Sequence, residues 1–114
     1  MIGGEPVKGR DYRLRRELLI AIERTRSQLA VAIAAENKST PRDRWRDYLA
    51  TEDRTRRCVR EIRRHHHQGP GRRYDWAQAL HMLKQPLPAK ERELTGRAIL
   101  LCQRLHDVLA IIEG

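Results

Sequence analysis

AKERELTGRAILLCQRLHDVLAIIE, residues 89–113, is the most apolar stretch of the chain. Its apolar residues recur every four or three positions, which is the repeat of one helical face; they are Leu94, Ala98, Leu101, Leu105, Val108 and Ile112. Neighbours such as Ile99 and Leu109 widen this face. The pattern predicts a helix from about Ala89 to Glu113 that lies at the centre of the core.

Two further segments show a helical repeat of apolar residues. One extends from about Asp11 to Glu36 and becomes apolar on all sides in LAVAIAA, residues 29–35. We expect this end to be enclosed by the fold or to contact another subunit. The other is short, from about Trp76 to Lys84, with Asp75 at its start as a candidate N-cap.

A fourth segment, from about Pro41 to His66, combines a thin apolar stripe with many arginines. Pro41 suits the first position of a helix. The stripe extends from Trp45 to Ile62 and is interrupted by Glu52. We expect it to dock on the rest of the fold.

These patterns predict an all-α fold, a helical bundle of three long helices and one short helix. The 114 residues suit a single domain, which we place at residues 11–114. Residues 1–10, with three Gly and one Pro, are expected to form a flexible lead. Residues 29–35 are the longest apolar run and are too short to cross a membrane, and the N-terminus lacks the apolar segment of a signal peptide. We therefore expect a cytoplasmic protein.

The chain is strongly basic, with a net charge of +9, and Arg supplies 20 of its 24 basic residues. The charge is uneven. Residues 41–73 carry 11 basic and five acidic side chains, a net +6, whereas residues 74–114 are neutral. A GC-rich genome would explain Arg in place of Lys, but it would not explain the excess over acidic residues.

On a helical wheel of the second helix, at about 100° per residue, seven arginines fall within about one third of the circumference; they are Arg42, Arg46, Arg56, Arg57, Arg60, Arg63 and Arg64. We call this set the arginine face. Arg72 and Arg73 follow in a predicted loop and would extend it. A row of guanidinium groups at helical spacing can follow a phosphate backbone and would give binding that weakens steeply with salt.

Two other interpretations of the arginine face stay open. It can be a solvated surface with local ion pairs, such as Glu52–Arg56, Asp53–Arg57 and Glu61–Arg64. It can also meet an acidic protein. The net +6 remains after every acid of the segment has been counted, which favours nucleic acid.

The sequence offers no arrangement typical of an enzyme or a metal protein. His65, His66 and His67 lie near Cys58, but consecutive residues of a helix point in different directions, and no second Cys/His cluster with zinc spacing exists. A phosphate-binding glycine loop and a nucleophile motif are absent from the sequence. We expect no catalytic residues, no metal, no cofactor and no small-molecule substrate.

In size, helix content and charge, the chain resembles the small helical subunits of multi-subunit CRISPR effector complexes. Those subunits are short, basic, non-catalytic bundles that stack along a filament and hold the target strand. The resemblance implies that Arg46, Arg57, Arg60 and Arg64 line a nucleic-acid channel and that the first or last helix meets neighbouring subunits.

The function we expect is therefore non-enzymatic binding of a nucleic-acid backbone, RNA or single-stranded DNA, without sequence readout, inside a ribonucleoprotein assembly. Other protein subunits, including further copies of this chain, are expected partners, and a membrane is not. One alternative is a protein-binding regulator or phage-type inhibitor that uses the basic face. Another is a helix-turn-helix-like DNA regulator built from the second and third helices.

Overall fold

The computed structural model describes residues 7–36, 42–64, 70–87 and 94–113, and side chains within 12–35, 44–64, 75–87 and 97–113. In these ranges the chain forms four α-helices and no strand: α1 Val7–Glu36, α2 Arg42–Arg64, α3 Pro70–Lys84 and α4 Leu94–Glu113. The all-α prediction is confirmed. The four helices have 30, 23, 15 and 20 residues.

α1 begins at Val7, four residues before the predicted start at Asp11. Residues 7–10 of the expected flexible lead are therefore helical, and residues 1–6 lie outside the described residues. Gly9 lies in this first turn, where glycine costs about 1 kcal/mol relative to alanine. That cost is small for a helix of 30 residues that is anchored by packing farther along.

α3 begins at Pro70, six residues before the predicted start at Trp76. Proline has the backbone angle of a helix and lacks only an N–H that the first turn does not need, so Pro70 can begin this helix. Arg72 and Arg73 therefore lie in a helix and not in the predicted loop. With 15 residues in α3, the predicted contrast between one short helix and three long ones is not confirmed. For α4, the predicted start at Ala89 falls outside the described residues.

All four helices contribute to the larger of two core clusters. It joins the first half of α1 to the second halves of α2 and α4 and to α3, and it includes Leu18, Ile22, Ile62, Trp76, Leu80, Val108 and Leu109. Because the beginning of α1 meets the ends of α2 and α4, α1 is antiparallel to both. α1 and α4 form the central pair, and α3 packs against both of them.

The second cluster lies at the other end of the bundle. Leu29 and Ala32 of α1 pack there with Tyr48 of α2 and with the first half of α4, including Leu101 and Leu105. Among the described residues this end is built by three helices and Leu87 of the segment after α3. The apolar repeat of α4 is buried from Ala98 to Ile112, as its sequence predicts.

α2 packs with most, but not all, of the apolar stripe that the sequence predicts. Tyr48, Thr55, Val59 and Ile62 of the stripe are buried, but Trp45 is 38% exposed and Leu49 is 64% exposed. The buried face of α2 is completed by Thr51 and Cys58, which the predicted stripe does not include. Trp45 and Leu49 lie on the flank of α2 beside this face, so they are not docked.

The apolar end of α1 is only partly enclosed. Leu29 and Ala32 are buried, whereas Val31 is 69% exposed and its neighbours Ala30 and Ala34 are also exposed. The described helices do not surround this end, and a contact with another subunit stays a prediction.

Candidate functional site

The arginine face lies on the outer side of α2. Its six members with described side chains are all exposed: Arg46, Arg56, Arg57, Arg60, Arg63 and Arg64. Arg42 belongs to α2, and Arg72 and Arg73 belong to α3, at positions whose side chains are outside the described residues. The buried side of α2 packs with residues of α1 and α4 in both core clusters.

Local carboxylates neutralise only part of this face. Arg56 bonds to Glu52 at 3.2 Å, and Arg64 lies 3.5 Å from Glu61. These are two of the ion pairs predicted from the sequence. The predicted pair Asp53–Arg57 does not form.

Four arginines of the face have no carboxylate within ion-pairing distance among the described residues: Arg46, Arg57, Arg60 and Arg63. The side chains of these four arginines are exposed to solvent. An unpaired guanidinium can bind the oxygens of a phosphate in a bidentate way, which Lys cannot do.

Glu52, which interrupts the apolar stripe in the sequence, joins α2 to α1. Nε of Arg26 on α1 donates to Oε2 of Glu52 at 3.2 Å, and a second nitrogen of Arg26 bonds to Oε1. This hydrogen bonding lowers the pKa of Glu52, with a further contribution from Arg56. The carboxylate is therefore held between two guanidinium groups and fixes α2 beside α1.

The other flank of α2 is fixed to α4 by Arg54, which lies outside the arginine face. Its Nε and a terminal nitrogen donate to the two oxygens of Glu113 at 3.0 and 2.8 Å. A third nitrogen lies 3.1 Å from Nδ1 of His106. Arg54 therefore has a structural role. The sequence pattern does not indicate this role because the partners of Arg54 are 52 and 59 residues away.

Cys58 and Cys102 are both free and buried. Burial raises the pKa of Cys58 to about 11, so this thiol stays protonated at neutral pH. Burial also raises the pKa of Cys102. His65, His66 and His67, which sequence analysis weighed as metal ligands, lie outside the described residues. Elsewhere in the described part of the chain, no three His, Cys, Asp or Glu residues are grouped so as to hold a metal ion.

Over the same ranges, every helix is too short or too polar to span a lipid bilayer. No protein-family model, curated protein or solved structure matches the chain.

Proposed function

We propose that this chain is a non-catalytic, basic helical subunit that binds the backbone of RNA or single-stranded DNA without reading its sequence, within a ribonucleoprotein assembly. One observation carries the proposal. Arg46, Arg57, Arg60 and Arg63 are exposed on one helix and have no carboxylate partner among the described residues.

The geometry of α2 supports contact with a chain of phosphates. Residues three apart in a helix rise by about 4.5 Å along its axis, so Arg57, Arg60 and Arg63 present charge at short, regular intervals. Such contacts position a nucleic acid and carry no sequence information. The ion pairs Arg26–Glu52 and Arg54–Glu113 hold both flanks of α2, so the row of arginines is fixed before a ligand arrives.

The two binding alternatives differ in how well this geometry supports them. A helix-turn-helix needs two helices that pack on each other across a tight turn. α2 packs on α1 and α4, and the described residues of α2 and α3 have no close backbone contact. A regulator that binds an acidic protein would use the same arginines. The binding experiment described below distinguishes this alternative from nucleic-acid binding.

The assembly that we propose is of the kind the CRISPR resemblance implies, in which basic subunits lie side by side along a strand. The exposed Val31 and its alanine neighbours on α1 are the surface we assign to subunit contact. Light scattering of the isolated chain measures whether copies associate without nucleic acid.

The test of nucleic-acid binding is a titration of single-stranded and duplex oligonucleotides at several salt concentrations. Four phosphate contacts predict a log–log slope of about −3 for a single strand, since each contributes about 0.7. The double variant Arg57→Ala/Arg60→Ala should reduce the slope by about 1.4.

A matched control removes the same charge from another face. Arg24 and Arg97 line a groove to which α2 contributes no residue. Arg24→Ala/Arg97→Ala should leave the slope within error of the parent. No binding at low salt, together with a tight acidic protein partner from pull-down, would replace the proposal with the regulator.

A further inference from the structure

α1 and α2 border a basic groove that the sequence pattern did not reveal. Its central part, about 590 Å³, is lined by four arginines, Arg26, Arg56, Arg60 and Arg63, and by two carboxylates, Glu23 and Asp53. An adjoining part, about 250 Å³, shares Arg63 and adds Arg15 and Arg16 of α1. The groove therefore combines arginines of two helices, whereas the predicted arginine face lies on α2 alone.

An exposed aromatic ring lines one end of this groove, and a second exposed ring lies farther along α2, beyond the residues that line the groove. Tyr12 is 57% exposed and lines the smaller part, beside Arg63. The guanidinium carbon of Arg15 lies 5.4 Å from the centre of the Tyr12 ring, which keeps positive charge against that ring.

Trp45 lies on the same flank of α2 as Arg56 and Arg63. Trp45 and Arg63 are separated by 18 residues, which is five helical turns, or about 27 Å along the axis. The Trp45 ring meets the buried Tyr48 ring edge to face, with centroids 6.3 Å apart, so one side of the indole is supported from the core. The ring remains 38% exposed.

We infer that the groove between α1 and α2 binds a single strand of nucleic acid, with Tyr12 stacking on a base in the groove and Trp45 stacking on another base where the strand continues along the same flank of α2. Cationic grooves with aromatic rings are typical of single-strand binding because unpaired bases expose their faces, and sites of this kind cover about 4–16 nucleotides. A duplex keeps its base faces stacked inside. This inference rests on the proposed function and adds to it the groove, the two rings and a preference for single strands.

The test uses the fluorescence of the full chain. The chain has two tryptophans, and Trp76 is only 2% exposed, so quenching by an added oligonucleotide reports contact at Trp45. We expect dT12 and rU12 to quench the emission and a duplex of equal length to bind more weakly. Trp45→Ala should weaken single-strand binding about tenfold, as for loss of one stacked base, and Tyr12→Ala should do the same.

The conservative variants separate stacking from folding. Trp45→Phe and Tyr12→Phe keep a flat ring, so their affinity, measured by fluorescence anisotropy of a labelled strand, should stay within about twofold of the parent. Leu49→Ala removes an exposed side chain without a ring from the same helix and should have no effect on affinity. Circular dichroism spectra of all variants should match that of the parent.

The experiments distinguish failure of the stacking groove from failure of the proposed function. Salt-sensitive binding that is equal in the parent, Trp45→Ala and Tyr12→Ala would overturn the stacking groove and leave the proposed function in place. Duplex binding as tight as single-strand binding would do the same. Absence of any binding by the parent at low salt would overturn both.

Discussion

Among the described arginines of α1 and α2, some are bound to carboxylates of another helix and others are not, a difference that the sequence predicts only in part. Arg26 and Arg54 are tied to carboxylates of other helices, whereas Arg57, Arg60 and Arg63 face water without such a partner among the described residues. The helical wheel correctly leaves Arg54 outside the arginine face. It gives no information about which distant carboxylate receives a guanidinium, because that depends on how helices pair.

At the level of single residues, Glu113 provides a test of the link between α2 and α4. Hydrogen bonds from Arg54 lower the pKa of Glu113 below its ordinary value of about 4.5. A carboxyl group with a lowered pKa in the folded state stabilises the fold above its unfolded-state pKa, and this stabilisation is lost as the pH falls. Glu113→Gln should therefore reduce the free energy of unfolding by about 0.5–1 kcal/mol at pH 7, a figure suited to a half-exposed ion pair.

Urea denaturation of the parent and Glu113→Gln at several pH values measures this difference, which should shrink progressively as the pH falls below about 4.5. Asp53→Asn is the control, since Asp53 is exposed and has no ion-pair partner among the described residues. Its stability should match that of the parent within about 0.5 kcal/mol. A Glu113→Gln deficit that is unchanged at pH 3 would show that packing, and not charge, is lost.

At the level of elements, α2 and α4 are joined by a chain of hydrogen bonds. A guanidinium can only donate, so Nδ1 of His106 accepts from Arg54 and the ring carries its hydrogen on Nε2. That nitrogen then donates to Oγ1 of Thr51 at 3.0 Å. The Thr51 hydroxyl is left to donate to Sγ of Cys102, 3.3 Å away. Each hydrogen bond of this series therefore has one defined donor and one defined acceptor.

Two buried threonines of α2 should respond differently to the same substitution. Thr51→Val leaves the Nε2 hydrogen of His106 without an acceptor, so we expect a loss of about 1–2 kcal/mol in the free energy of unfolding. Among the described residues, Thr55 bonds only to the backbone oxygen of Thr51, one turn earlier, so Thr55→Val should change stability by less than about 0.5 kcal/mol. Chemical denaturation measures both variants. If the two variants lose the same free energy of unfolding, the hydrogen bonds that run through His106 do not have the role described.

Individual helices could be predicted where one apolar face dominates, and α4 is the clearest case. α2 was harder because its buried face contains Thr51, which the predicted stripe left out, and because the stripe assigned Trp45 and Leu49 to the core although both are exposed. A threonine is buried readily when its hydroxyl has a partner, and those partners lie on α4 or on the preceding turn. The start of α3 was missed because Pro70 ends one helix and begins another equally well.

The sequence predicts only part of the candidate site, because the rest depends on how two helices pair. The exposed arginines of α2 follow from a periodicity within one helix. The groove with Arg15 and Arg16 depends on the antiparallel approach of α1, which places Tyr12 beside Arg63, 51 residues later. Nothing in the local pattern of either helix fixes that pairing.

For the whole molecule, the balance between paired and surplus charge determines how salt acts on stability. A face made of ion pairs loses stabilisation as salt screens attraction, whereas a surplus of one sign gains stability as salt screens repulsion. With a net charge of +9 and four arginines of α2 without described partners, repulsion should dominate. We expect the Tm to rise by a few degrees between about 20 and 300 mM NaCl, as for a gain of about 0.5–1 kcal/mol.

Two comparisons make this prediction specific. Arg57→Ala/Arg60→Ala removes part of the surplus from the arginine face, so its Tm should depend less on salt than that of the parent. Arg54→Ala removes a paired charge and should lower the Tm at low salt. Nucleic-acid binding should weaken over the same salt range in which the fold becomes more stable. If the Tm of the parent instead falls as salt is added, the arginines of α2 are neutralised by ion pairs. They would then have no surplus charge with which to bind phosphates.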